Sequence, residues 1–184
     1  MKKIPTIFKR NQANMCEILS EPNPICDWVF RGEGIATRKY DGSCCLVKDG
    51  KLYKRREIKN GAVIPVGFIQ VDVDEITGKI VGWVKVEVTN PEDKWHVAAF
   101  HFGLPNGTYE LIGPKIQGNP ELLSEHVLLK HSEAEQFVDV PRTFDALREW
   151  MKSKDIEGIV FHHSDGRMAK IKKRDYGQKR IALF

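Results

Sequence analysis

The chain has no hydrophobic run long enough to span a membrane. The start, Met1-Lys2-Lys3-Ile4-Pro5, leads into no apolar stretch of signal-peptide length, so a soluble, intracellular and cytoplasmic protein with no membrane association is expected. Cysteine is scarce. Cys16, Cys26, Cys44 and Cys45 match neither zinc-ligand spacing nor a disulfide framework, which excludes a small cross-linked secreted scaffold and points to reduced thiols. Internal repeats and low-complexity tracts are also missing, which excludes solenoids and compositionally disordered linkers.

What is present fits one domain of 184 residues with a mild excess of positive charge, +4 at neutral pH and a pI near 8.8. That balance suits a polyanionic partner and an ordinary solvated surface equally well. Its distribution says more. Arg167, Lys170, Lys172, Lys173, Arg174, Lys179 and Arg180 crowd the C-terminal end, where Asp165 and Asp175 are the only acids. This end is expected to carry positive potential, as a phosphate-gripping surface or as a solvated tail.

Residues 1–34, with Pro22, Pro24 and two late glycines, read as a leading segment with little regular structure. From Ile35 onward, short apolar alternations separated by turn signals predict strands. Asp49-Gly50 predicts a hairpin between 43–48 and 51–56, and Thr77-Gly78 separates 68–74 from 79–88. Further strands are expected at 108–112 and 126–129. Phe144, Leu147, Trp150 and Met151 recur at helical spacing after a potential Thr143 cap, the apolar stripe of an ordinary packed helix. The closing pair, 156–163 and 168–173, flanks Asp165-Gly166. The expected fold class is α+β, an antiparallel β-sheet with covering helices.

If Asp165-Gly166 is a two-residue turn, Phe161 pairs with Lys170 and Ile159 with Lys172. Alternation then places Glu157, Ile159, Phe161, Lys170, Lys172 and Arg174 on one face. Ile159 and Phe161 would partly cover that face, and lysines on a covered face need an anion such as phosphate.

Lys39, in Lys39-Tyr40-Asp41-Gly42, could attack a phosphorus atom only as the neutral amine. Arg38 and the triplet Lys54-Arg55-Arg56 are candidate cations that would lower its proton affinity, and Gly42 permits a close backbone approach. Glu110 lies in a strand that reads as buried, so it must be paired with a cation or hydrogen-bonded, with ribose hydroxyls as candidate donors.

The ordered set Lys39-Tyr40-Asp41-Gly42, Lys54-Arg55-Arg56, Tyr109-Glu110-Leu111-Ile112-Gly113-Pro114, Glu157-Gly158-Ile159-Val160 and Lys170-Ile171-Lys172 resembles motifs I, Ia, III, IV and V of the covalent nucleotidyltransferases. That superfamily includes ATP-dependent DNA ligases, RNA ligases and mRNA capping enzymes. The run from Lys39 through Cys45, Glu110 through Pro120, and Gly82-Trp83-Val84 with Trp95-His96 between them, is similar to the RNA ligase 1 family, of cellular and viral occurrence.

The resemblance implies a single ligase adenylation domain over 1–184, of ATP-grasp-like type and without a C-terminal OB domain. It implies RNA repair by joining 5′-phosphate and 3′-hydroxyl RNA ends, using ATP and Mg2+ or Mn2+, with no obligate protein partner. By motif position, Lys39 would form lysyl-AMP, Glu110 would hold the ribose, Glu157 would bind the metal, and Lys170 and Lys172 would contact phosphate. Arg38, Gly42 and Arg55 would complete the nucleotide site. Arg55 is preferred over Arg56 as the motif Ia arginine, because strand parity points them to opposite faces.

Cys44 replaces the arginine usual two residues after the motif I glycine in DNA ligases and capping enzymes, which disfavours those alternatives. An inactive RNA-binding module is the remaining alternative. Trp83, Trp95, His96, Phe100 and Phe102 could stack on bases or belong to a core. His162 and His163 are assigned no catalytic role.

Overall fold

The computed structural model describes residues 1–74 and 77–180. Among the described residues, twelve strands and three short α-helices follow one another: β1 (Phe8–Arg10), β2 (Ile18–Pro22), α1 (Asp27–Phe30), β3 (Ile35–Lys39), β4 (Ser43–Lys48), β5 (Lys51–Ile58), β6 (Ile69–Val73), β7 (Ile80–Lys85), α2 (Lys94–Ala99), β8 (Gly107–Ile112), β9 (Val127–Lys130), β10 (Gln136–Phe137), α3 (Phe144–Lys152), β11 (Gly158–His162) and β12 (Met168–Lys172). All pairings between these strands are antiparallel. None of the helices among the described residues is long and apolar enough to cross a membrane.

The chain forms two compact units, one of residues 1–3 and 41–133, the other of residues 4–40 and 134–184. The first is built on a six-stranded sheet in the order β6-β7-β5-β4-β8-β9. Asp49 and Gly50 link β4 to β5 with φ of 51° and 69°, the two left-handed residues that match the twist of a tight hairpin. Cys45, Val47, Leu52, Tyr109 and Leu111 form one buried face of this sheet, covered by Ala99 of α2, Phe100 and Ile116. Alternation leaves Cys44, Arg55, Trp83 and Glu110 on the other face.

The second unit is built on a four-stranded sheet in the order β10-β3-β11-β12, with β1 and β2 paired separately. Its core joins Ala36, Ile159, Phe161, Ala169 and Ile171 of the sheet to Leu147 and Met151 of α3. Thr143 precedes α3 in extended geometry, as expected, but makes no side-chain cap bond. The segment before Ile35 is more structured than its sequence predicts. Ile7, Phe8, Cys26, Trp28 and Val29 are all buried in this core, and Ile7 donates its N–H to the Lys170 carbonyl at 3.0 Å, covering the edge of β12. Elements this short carry too few residues to show a period.

The last hairpin departs from the expected register. His163 N–H donates to the Arg167 carbonyl at 2.9 Å, and Gly166 N–H to the His163 carbonyl at 3.0 Å, so the loop holds three residues, Ser164, Asp165 and Gly166. Gly166 takes φ of 91°, and Asp165 Oδ1 accepts from the Arg167 backbone N–H at 3.0 Å, which fixes the longer turn. Each pairing moves by one: Val160 opposes Lys170, and Gly158 opposes Lys172. Ile159 and Phe161 therefore lie on the core face, away from the lysines, rather than sharing a face with them.

Candidate functional site

On the second unit, the register of β3, β11 and β12 lines up Lys39, Gly158 and Lys172 in one row and Thr37, Val160 and Lys170 in the next. The cross-strand row explains the glycine. A Cβ at position 158 would lie 2.2 Å from the Ile171 carbonyl oxygen and 2.8 Å from the Lys172 Cα, so only glycine fits between the two lysine-bearing strands.

Glu157, one residue before β11, closes the cluster. Its Oε2 accepts from Lys39 Nζ, and its Oε1 lies 2.5 Å from Lys172 Nζ. The carboxylate is 11% exposed. Burial works to raise the pKa of Glu157, but the charges of Lys39 and Lys172 outweigh it, and the carboxyl stays below its usual range. Burial first, then the Lys39 charge, lowers the affinity of Lys172 for its proton against the opposing pull of Glu157.

Lys170 makes no hydrogen bond or ion pair among the described residues through its amine. Burial, followed by the charges of Lys172 and Lys39, lowers its pKa to about 8. Two lysines thus share one carboxylate while the third has none, and a partly buried ammonium without a partner is a standing demand for an anion. The cations beside Lys39 in this cluster, Lys170 and Lys172, lie on β12. Arg38 points to the other face, where it pairs with Glu135 at 3.3 Å, donates to the Asp155 carbonyl at 3.2 Å and lies 5.0 Å from the Tyr40 ring centroid.

The remaining candidates belong to the six-stranded unit. Glu110 is 8% exposed, and its partner is neither lysine nor arginine. His131 Nε2 lies 3.0 Å from Glu110 Oε2, and His131 Nδ1 lies 2.9 Å from Thr108 Oγ1. Cys44 opposes Glu110 directly, and Arg55 opposes Trp83, so Glu110, Cys44, Arg55 and Trp83 run across one sheet face. Arg55 has a buried Nε with no hydrogen-bond partner, and its terminal nitrogen is 3.8 Å from Glu57. Arg56 is exposed and turns to the opposite face, with Lys54.

Lys54 is committed to the buried Asp93 at 2.5 Å. Gly42 packs against β8. A Cβ there would meet the Leu111 carbonyl oxygen at 2.2 Å and Glu110 Cγ at 2.8 Å, so the close approach made by this glycine is to the Glu110 strand. Among the aromatic candidates, Trp95 stacks on His126 with centroids 4.5 Å apart and Phe100 joins the core, while Phe102 is 96% exposed. No group of three or more acidic, histidine or cysteine side chains suited to a metal occurs among the described residues.

No protein-family model matches the chain. It is similar to proteins named RNA ligase 1 from three vertebrates. Identity is 28% to that of Danio rerio, over 55% of this chain and 42% of the relative. It is 29% to that of Pongo abelii, over 57% and 43%, and 30% to that of Rattus norvegicus, over 67% and 46%. The chain is a distant relative of these RNA ligases. It spans under half the length of each of them.

Sequence reasoning found Lys39, Glu157, Lys170 and Lys172, which the structure brings together. It missed His131. The only signal was a histidine immediately after a strand, two positions beyond the residue that opposes Glu110.

Proposed function

We propose that the protein is an ATP-dependent RNA ligase with a covalent nucleotidyltransferase fold, joining 5′-phosphate and 3′-hydroxyl RNA ends through an adenylylated lysine. The observation that carries this is the cross-strand cluster of Lys39, Glu157, Lys172 and the unpartnered Lys170. It supplies an amine nucleophile and cations for phosphate in adjacent positions on one sheet face. The distant similarity to proteins named RNA ligase 1 supports the choice of RNA.

In this mechanism Lys39 loses its proton and its Nζ forms a bond to the α-phosphorus of ATP as the bond to the bridging oxygen breaks and pyrophosphate leaves. Lys170 and Lys172 offset the charge that gathers on the phosphate oxygens. A 5′-phosphate oxygen of RNA then takes the AMP, breaking the N–P bond and restoring Lys39. A 3′-hydroxyl finally displaces AMP and seals the strand. Before nucleotide arrives, Glu157 holds Lys39 and Lys172 in place between the strands.

Glu157 belongs to no group of three or more acidic, histidine or cysteine side chains among the described residues, which suits an ion that keeps waters and phosphate oxygens as its other ligands. Magnesium or manganese bound there would offset phosphate charge. Glu110 is proposed to accept from the ribose, with Gly42, Arg38 and Arg55 in the supporting roles their motif positions imply.

The test is strand joining with ATP and magnesium. RNA carrying 5′-phosphate and 3′-hydroxyl ends should be sealed, and 5′-hydroxyl RNA should not. Sealing of DNA in preference to RNA, or joining supported by GTP alone, would overturn the assignment.

A further inference from the structure

We propose that His131 is a positioning residue that orients the Glu110 carboxylate for a ribose hydroxyl and thereby sets the preference for ribonucleotides over deoxynucleotides. The inference rests on the nucleotidyl-transfer function proposed above. Thr108 and Glu110 are two apart on β8 and share a face. The β8–β9 register pairs Tyr109 with Lys130, which carries the next residue, His131, opposite Thr108 and within diagonal reach of Glu110.

Both ring nitrogens are engaged, Nδ1 with the Thr108 hydroxyl at 2.9 Å and Nε2 with Glu110 Oε2 at 3.0 Å, so the ring cannot turn without losing both. A neutral imidazole that donates from Nε2 needs a donor at Nδ1, and the threonine hydroxyl supplies it. The other carboxylate oxygen, Oε1, makes no hydrogen bond among the described residues, although Glu110 is 8% exposed. A buried acceptor held at one oxygen and open at the other suits one further donor. A ligand hydroxyl on that oxygen would be discriminated strongly from its deoxy analogue, because its absence leaves a desolvated carboxylate oxygen unmatched.

The experiment compares the rate of protein adenylylation with ATP, 2′-deoxy-ATP and 3′-deoxy-ATP in wild type, His131→Ala, His131→Gln and Glu110→Ala. Wild type should favour ATP over one of the deoxy analogues by about tenfold or more. His131→Ala should bring that ratio to within about twofold, while His131→Gln, which keeps a donor toward Glu110, should retain most of it. Combining His131→Ala with Glu110→Ala should lower the ratio no further than either alone, the pattern of residues acting as one unit.

A purely structural role for His131 would slow all three nucleotides alike. An unchanged ratio in folded His131→Ala, or an equal loss in His131→Gln, would overturn the role of His131 alone. Failure of wild type to form an adduct with any nucleotide would overturn the underlying function instead.

Discussion

Lys39, at the end of β3, and Glu157, just before β11, are 118 residues apart in sequence and in contact, and the proposed chemistry of the cluster rests on this pair. Replacing Lys39 by alanine should abolish the covalent adduct formed from labelled ATP. Glu157→Gln should reduce adduct formation by about a hundredfold, since two lysines lose their carboxylate and the proposed metal would lose its ligand. Glu157 also makes acid stability testable. Its folded pKa lies below the ordinary 4.5, so its stabilisation is present above that value and is lost as pH falls through the depressed one. The stability of wild type should therefore fall faster than that of Glu157→Gln when urea melts are compared below about pH 4.5.

Lys170 behaves oppositely. With a pKa of about 8, it is partly deprotonated in mildly alkaline buffer, and a phosphate beside it restores the charge. Binding of pyrophosphate at pH 8 should take up a proton, read as a dependence of the calorimetric enthalpy on buffer ionisation enthalpy. Lys170 and Lys172 were legible as a pair because strand alternation keeps residues two apart on one face whatever the register, whereas Glu157 reaches them from one residue before β11, a placement that alternation alone does not give. His131 was not, because its contact with Glu110 depends on how β9 pairs with β8.

At the level of elements, one residue of loop length decides which face the last hairpin presents. A two-residue turn at Asp165-Gly166 would have placed Ile159 and Phe161 beside the lysines. The three-residue loop, held by Asp165 on the Arg167 backbone N–H, sends them into the core. The turn dipeptide was legible, but its exact span was set by a side-chain bond and by His163, whose ring meets Glu33 at 2.8 Å. The strands expected at 43–48, 51–56 and 108–112 were legible because alternation and the Asp49-Gly50 turn agree on one register. The leading segment was not, since β1, β2 and α1 gain their order from the core they join.

The crowded row Lys39-Gly158-Lys172 yields a prediction at this scale. Gly158→Ala must push a Cβ against the backbone of β12 and should cost about 1–3 kcal/mol in denaturant unfolding, with loss of adduct formation even under conditions where the variant is folded.

For the whole molecule, the positive C-terminal end divides into internal and free cations. Lys173 is 2% exposed, with its amine donating to the Lys152 and Lys154 carbonyls, and Arg180 pairs with Asp155 at 2.8 Å. Tyr176 packs its ring on Phe8 and Phe144. Removing everything after Arg174 would therefore damage the core of the second unit along with any RNA contact. Arg174 and Lys179 are exposed and can be altered without that penalty. Neutralising both to glutamine should weaken RNA binding and reduce the magnitude of the log–log slope of affinity against salt by about two, with little change in melting temperature. The sequence displayed the charge of this end but not its division, because burial of Lys173 and the reach of Arg180 to Asp155 are tertiary facts.

The central claim is tested most directly by intact mass and peptide mapping of the protein after incubation with ATP and magnesium, beside a GTP control. The account predicts an acid-labile gain of about 329 Da, one AMP, carried on the peptide containing Lys39 and absent from Lys39→Ala. A folded wild-type protein that gains no mass, or one that carries AMP on a residue other than Lys39, would contradict it.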